Sequence, residues 1–120
     1  MATYFYDSYA VIEYFKGNQK YAKYFEQNDG VLTHMNLMEI HHSILRQFSE
    51  KDADDVAKTF GQFISIPSLE EIIMASKFRL QNKNVSFVDA IGYICAKNNG
   101  IKFLTGDKEF EKLPNVEFVK

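Results

Sequence analysis

The chain has 120 residues, 46% of them hydrophobic and 15% aromatic, and its 14 basic and 16 acidic side chains give a net charge of −2. Compact domains commonly run about 100–150 residues, so residues 1–120 are expected to form one domain, with too apolar a composition for a disordered chain. No apolar run approaches the roughly 20 residues that span a bilayer, and Cys95, the only cysteine, excludes an internal disulfide framework and a multi-cysteine zinc site.

The N-terminus lacks the basic region and small-residue cleavage site of a signal peptide, so the chain is expected to be cytoplasmic. Residues 3–6 are apolar and aromatic, the character of a strand buried on both faces. From Ser8 the pattern turns helical, with Val11, Ile12 and Phe15 on one face and Gly17-Asn18 as the stop. A short helix follows over residues 19–26, where Tyr21, Tyr24 and Phe25 repeat at i, i+3, i+4. After the turn Asn28-Asp29-Gly30, residues 31–32 predict a brief strand. Thr33 caps a longer helix reaching about Phe48, with Leu37, Ile40, Ile44 and Leu45 as its apolar stripe. Another helix begins near residues 49–52, where acids suit a helix N-terminus. Residues 63–66 predict a third strand closed by Pro67, and Ser68-Leu69-Glu70-Glu71 has capping-box spacing for a helix to about Leu80. Ser86 caps the next helix, which Asn98-Asn99-Gly100 ends. Residues 101–104 and 116–119 complete the strands, with a helical turn from Asp107 between them.

Strands separated by helices predict an α/β fold, a parallel sheet with helices on both faces. Sites in such sheets form outside the carboxyl ends of the strands, at a topological switch point. Asp7 directly follows the first strand and Asp107 the strand at 101–104. Asp89 lies in the first turn of its helix, and Glu39 is six residues beyond Thr33. No lysine or arginine lies within three residues of Asp7, Glu39 or Asp89. Four carboxylates meeting without cations would repel one another. Mg²⁺ or Mn²⁺ would resolve that repulsion with oxygen ligands, and such ions activate water for attack on a phosphodiester. With four acids held on metal, 14 basic side chains would stand against 12 acidic ones, which leaves a nucleic-acid substrate open.

These stretches together resemble the PIN-domain family of metal-dependent ribonucleases, including the VapC-type toxins of toxin–antitoxin pairs. Asp7-Ser8 is similar to the family's first motif, and Thr33 through Asn36 to Glu39 to the second. Ser86 to Ala90 is similar to the third, and Leu104-Thr105-Gly106-Asp107 to the fourth. The resemblance implies a three-layer α/β/α sandwich around a central, mostly parallel sheet of about five strands. It implies that Asp7, Glu39, Asp89 and Asp107 are the catalytic, metal-binding acids. Ser8, Asn36 and Thr105 would support them or contact phosphate. It also implies Mg²⁺ or Mn²⁺, an RNA substrate, a VapB-like antitoxin and a homodimer, with no membrane association. Asn36 stands where the family often has a hydroxyl, and Gly106 where a larger, often basic residue is common. The family includes members that bind RNA or protein without cutting, so a non-catalytic binding module is the alternative.

Simpler roles compete at each acid. Asp7 alone could cap the helix after it, Asp89 could favour the helix dipole, and Asp107 could start a turn. Glu39, mid-helix with no basic residue at i+3 or i+4, has the weakest such alternative. His34, His41 and His42 are expected to be surface or structural residues, Cys95 a core thiol, and Tyr21, Tyr24 and Phe25 part of a partner-helix or dimer surface.

Overall fold

The computed structural model describes residues 2–120. Tyr4–Tyr6 forms β1, and its side chains alternate between two cores as a strand's period of two requires. Tyr6 enters one core with Val11, Leu32, Ile40, Ile44 and Leu104; Phe5 enters the other with Ala90, Tyr93, Ile94, Phe103 and Phe110. The remaining elements are α1 (Ser8–Phe15), α2 (Ala22–Glu26), β2 (Gly30–Val31), α3 (His34–Gln47), α4 (Glu50–Phe60), α5 (Leu69–Gln81), α6 (Phe87–Asn98), β3 (Lys102–Thr105) and β4 (Val116–Phe118). The four strands are all parallel, in the order β2-β1-β3-β4. Helices α1 and α3 cover one face, while α6, backed by α5, covers the other, which gives three layers.

The chain moves from β1 to β2 on one side and later returns to β3 on the other. The switch point therefore lies between β1 and β3, paired in register with Tyr6 opposite Leu104. On the far face α6 approaches closely at Gly92, where an added Cβ would lie 2.7 Å from the Phe5 ring.

The strand expected at 63–66 does not form. Gly61–Phe63 is a 3₁₀ turn, and only Ile64 bridges Leu32, through Leu32 N–H to Phe63 O (3.1 Å) and Ser65 N–H to Leu32 O (2.8 Å). Pairing stops there because Thr33 turns into the α3 cap and Pro67 has no N–H to give. Ile66, 78% exposed, confirms that this apolar run is not buried strand. The sheet thus has four strands plus one bridge, rather than five. Tyr21 and Tyr24 also depart from expectation, being buried in the core. Their hydroxyls donate to Val119 O (3.2 Å) and Glu117 Oε2 (2.7 Å), which fixes the α2 region against the β4 end of the sheet.

Candidate active site

Asp7 is the residue at which β1 becomes α1. Its amide still donates to Leu104 O at 3.1 Å, and its extended φ and ψ (−64°, 148°) turn the chain into the helix. Its carboxylate makes no capping hydrogen bond to α1, so capping does not explain it. The side chain is 2% exposed and accepts from Thr105 Oγ1 at 2.6 Å. Thr105 ends β3, is fully buried, and accepts from the Asp107 amide at 3.0 Å. One hydroxyl therefore sets the spacing of the acids that follow two neighbouring strands. Asp107 Oδ1 also accepts from the Glu109 amide at 3.0 Å, so its turn-starting role is real as well.

Glu39 is positioned by a relay that begins at the α3 cap. Thr33 and Asn36 form a reciprocal capping box, in which Asn36 Oδ1 accepts from Thr33 N–H (3.0 Å) and Oγ1 (2.8 Å). Asn36 Nδ2 donates to Ser8 Oγ at 2.9 Å, and Ser8 Oγ donates to Glu39 Oε1 at 2.7 Å. The amide carries acceptor and donor on separate atoms, so it caps the helix with one and reaches α1 with the other. Asp89 enters from the first turn of α6, where its amide donates to Ser86 Oγ at 3.1 Å.

These acids perturb one another. Burial pushes the Asp7 carboxyl well above the usual range, and the charge of Asp89 and a hydrogen bond to it add to the effect against the opposing Thr105 bond. Burial also raises Asp89, although the bond from Asp7 acts the other way, and the charge of Asp107 raises it further. The two carboxyls therefore titrate as a pair, each pushed upward. Burial raises Glu39, the Ser8 bond opposes this, and Asp89 adds to the rise.

Asp7, Ser8, Glu39, Asp89 and Asp107 line one crevice of about 470 Å³. Asn36 and Thr105 lie buried behind them and hold them in place. Among the described residues, no three acidic, histidine or cysteine side chains are closed into a ready-made metal cage. The arrangement is an open acidic crevice in which Asp7 is the most deeply buried acid. Tyr9, Ile12, His42, Ser43, Arg46 and Ser86 complete the walls. Sequence reasoning did not place the three from α3, yet His42, Ser43 and Arg46 stand at i+3, i+4 and i+7 from Glu39, the spacing of one helix face.

Gly106 is explained by crowding. A Cβ there would lie 2.5 Å from the Tyr21 hydroxyl, 2.6 Å from the Tyr9 ring and 2.8 Å from Val119 O. The space a larger residue would take is filled by two tyrosines and the chain end.

These features define a parallel α/β domain whose acidic crevice lies at the switch point of its sheet. The PIN domain family profile matches residues 4–116, and the chain belongs to that family. No curated protein sequence matches it. Among solved structures it resembles a toxin–antitoxin complex from Klebsiella pneumoniae, with TM-score 0.77, 19% identity and 96% of each chain covered. It also resembles DNA-bound VapBC from Salmonella typhimurium, with TM-score 0.76, 17% identity and coverage of 99% of this chain and 98% of that one. A third similar structure is VapC20 from Mycobacterium tuberculosis, a sarcin–ricin loop cleaving toxin, with TM-score 0.78, 14% identity and coverage of 96% and 98%. At these identities the likeness is one of fold. The long expected helices at α3, α5 and α6 are present, and no helix among the described residues is long and apolar enough to cross a membrane.

Proposed function

We propose that this chain is a Mg²⁺- or Mn²⁺-dependent endoribonuclease that hydrolyses RNA phosphodiester bonds, the toxin of a VapBC-type pair. The observation that carries the proposal is the convergence of Asp7, Glu39, Asp89 and Asp107 on one crevice at the switch point, where among the described residues none of the four has an ion-pair partner. Membership of the PIN family and the likeness to solved toxins and toxin–antitoxin complexes support it.

The donor set fits a hard divalent cation. Every candidate ligand is a carboxylate oxygen, and Mg²⁺ keeps waters and takes substrate phosphates rather than needing a closed protein cage. Asp7, Glu39, Asp89 and Asp107 would hold it, with Asp7 giving up its proton. When bound, the ion lowers the pKa of water and stabilises charge on the phosphoryl oxygens and leaving group. The chain's own residues orient that chemistry. Thr105 aims the Asp7 carboxylate, the Asn36–Ser8 relay aims Glu39, and Asp7 itself is buried at the base of the crevice. Cleavage is expected to leave a 5′-phosphate and a 3′-hydroxyl.

A VapB-like antitoxin is the proposed partner, and a homodimer the proposed assembly. We assign the dimer contact to the apolar face around Met35, Ile72, Phe87, Val88 and Ile91, where Ile72 and Phe87 are exposed. Its lining side chains are almost wholly apolar, with the Arg79 guanidinium over the Phe87 ring 4.1 Å from its centroid, and such a face is self-complementary under a twofold axis. Light scattering should give a dimer for the unmutated chain and a monomer for Ile72→Glu; a monomer in both would remove the assignment. Non-catalytic binding finds no favouring observation, because none of the four acids is missing.

The enzymatic proposal is tested by incubating the protein with structured RNA and Mn²⁺, beside Asp7→Asn and Asp89→Asn. Cleavage by the unmutated protein alone is the expected result. Equal rates in all three would overturn it. Calorimetric titration with Mn²⁺ should show a site that Glu39→Gln abolishes.

A further inference from the structure

The crevice has two unlike walls beyond its carboxylates. On one side α1 presents Tyr9 and Ile12, three residues apart on one helical face. On the other side α3 presents His42, Ser43 and Arg46. Tyr9 is 45% exposed, a large apolar area to leave open beside four acids. Its ring packs against Gly106, where an added Cβ would lie 2.6 Å from it. The Tyr9 ring and the glycine thus form a matched pair: the missing side chain makes the room that the ring occupies. Near its hydroxyl are Glu13, Asp107 and Asp7, whose charges add to burial in raising its pKa. Arg46, which also lines the crevice, is exposed in the last turn of α3 and makes no ion pair among the described residues.

An open aromatic ring and a guanidinium without an ion pair, lining one crevice, offer the chemistry of one nucleotide. Bases stack on tyrosine whatever their sequence. Guanidinium is the group that forks onto phosphate oxygens. We propose that Tyr9 and Arg46 form a nucleotide subsite of the crevice, with the base of a single-stranded RNA residue stacked on Tyr9 and its phosphate held by Arg46. This rests on the ribonuclease reading and adds to it the binding of an unpaired base next to the cleaved bond. It also gives Gly106 a function: its lack of a side chain is what lets a ring, rather than a basic group, meet the substrate.

The test measures binding apart from cleavage. Fluorescence anisotropy with a labelled single-stranded RNA octamer, in the full-length Asp7→Asn background, gives affinity without turnover. Tyr9→Ala should weaken binding by about 5- to 150-fold, the range of a lost base–aromatic stack, with the salt dependence unchanged. Tyr9→Phe should bind as the parent does. Arg46→Met should weaken binding and lower the slope of log affinity against log salt by about 0.7, the value for one phosphate on a single strand. An octamer with one abasic position should lose affinity at a single place in the parent, and at none once Tyr9 is alanine. Unchanged affinity in Tyr9→Ala, or equal losses in Tyr9→Ala and Tyr9→Phe, would overturn the subsite. If the unmutated protein cleaves RNA with Mn²⁺ under either outcome, the ribonuclease reading survives and only the subsite falls. If the chain neither cleaves nor binds RNA, both fall.

Discussion

Asp7 is a buried carboxyl facing another acid, with the Thr105 hydroxyl as its neutral donor. Its folded pKa is raised, so the native chain keeps a proton that the unfolded chain, with an ordinary value near 3.9, has already lost. The native state then binds more protons, and stability falls as pH rises from the unfolded value through the raised folded one. In EDTA, thermal unfolding followed by circular dichroism should show Tm declining across that window. Asp7→Asn should flatten the decline and raise Tm at neutral pH while abolishing RNA cleavage. A flat profile in the unmutated protein would contradict the account. Asn36 carries the opposite expectation. Its truncation to alanine leaves Thr33 and Ser8 with lost partners at a 1% exposed site, so a loss of about 1–3 kcal/mol is expected in urea unfolding. All four acids were legible in the sequence because each follows a strand or opens or lines a helix at a readable place. The mutual perturbation of Asp7 and Asp89 was not, since it depends on how deeply α6 seats its first turn against β1.

At the scale of elements, the capping signals transferred well because they are local. Ser68 and Glu71 form the box their spacing predicts, with Ser68 N–H to Glu71 Oε1 at 2.9 Å and Glu71 N–H to Ser68 Oγ at 3.1 Å. Less legible was the second use of that glutamate. Glu71 Oε2 also accepts from Asn98 (3.0 Å) and Asn99 (3.2 Å), so one buried side chain starts α5 and ends α6. Burial alone would raise its pKa, but the Ser68 amide and the two asparagines hold it below the ordinary value. The sign is therefore the reverse of that for Asp7. Its stabilisation is present above the unfolded carboxylate pKa and is lost as pH falls through the lower folded value. Glu71→Ala should cost about 1–3 kcal/mol at pH 7, measured by urea unfolding, with the deficit shrinking in acid. The run at 63–66 and the tyrosines at 21 and 24 misled for a common reason. Strand pairing and burial depend on what a distant segment offers: β2 ends after two residues, and the β4 region supplies Glu117 and Val119 to the two hydroxyls.

For the whole molecule, charge is the governing quantity. A net charge of −2 is mild, but its distribution is not, because four carboxylates line the same crevice with Arg46 the one permanently cationic lining residue. Without a divalent cation that surface should repel a polyanion at close range, where the low-dielectric walls weaken screening. RNA affinity and metal occupancy should therefore be linked: each raises the other by the same factor. Anisotropy measurements in EDTA should give weak binding to a short single-stranded RNA, and Ca²⁺ or Mn²⁺ should strengthen it by about tenfold or more, the effect of about 1.4 kcal/mol. Asp7→Asn should gain less from the ion than the unmutated chain does, because one ligand has gone. Raising monovalent salt should narrow the EDTA deficit. If affinity in EDTA already equals that with the cation, RNA binds away from the carboxylates, and the crevice is not its site.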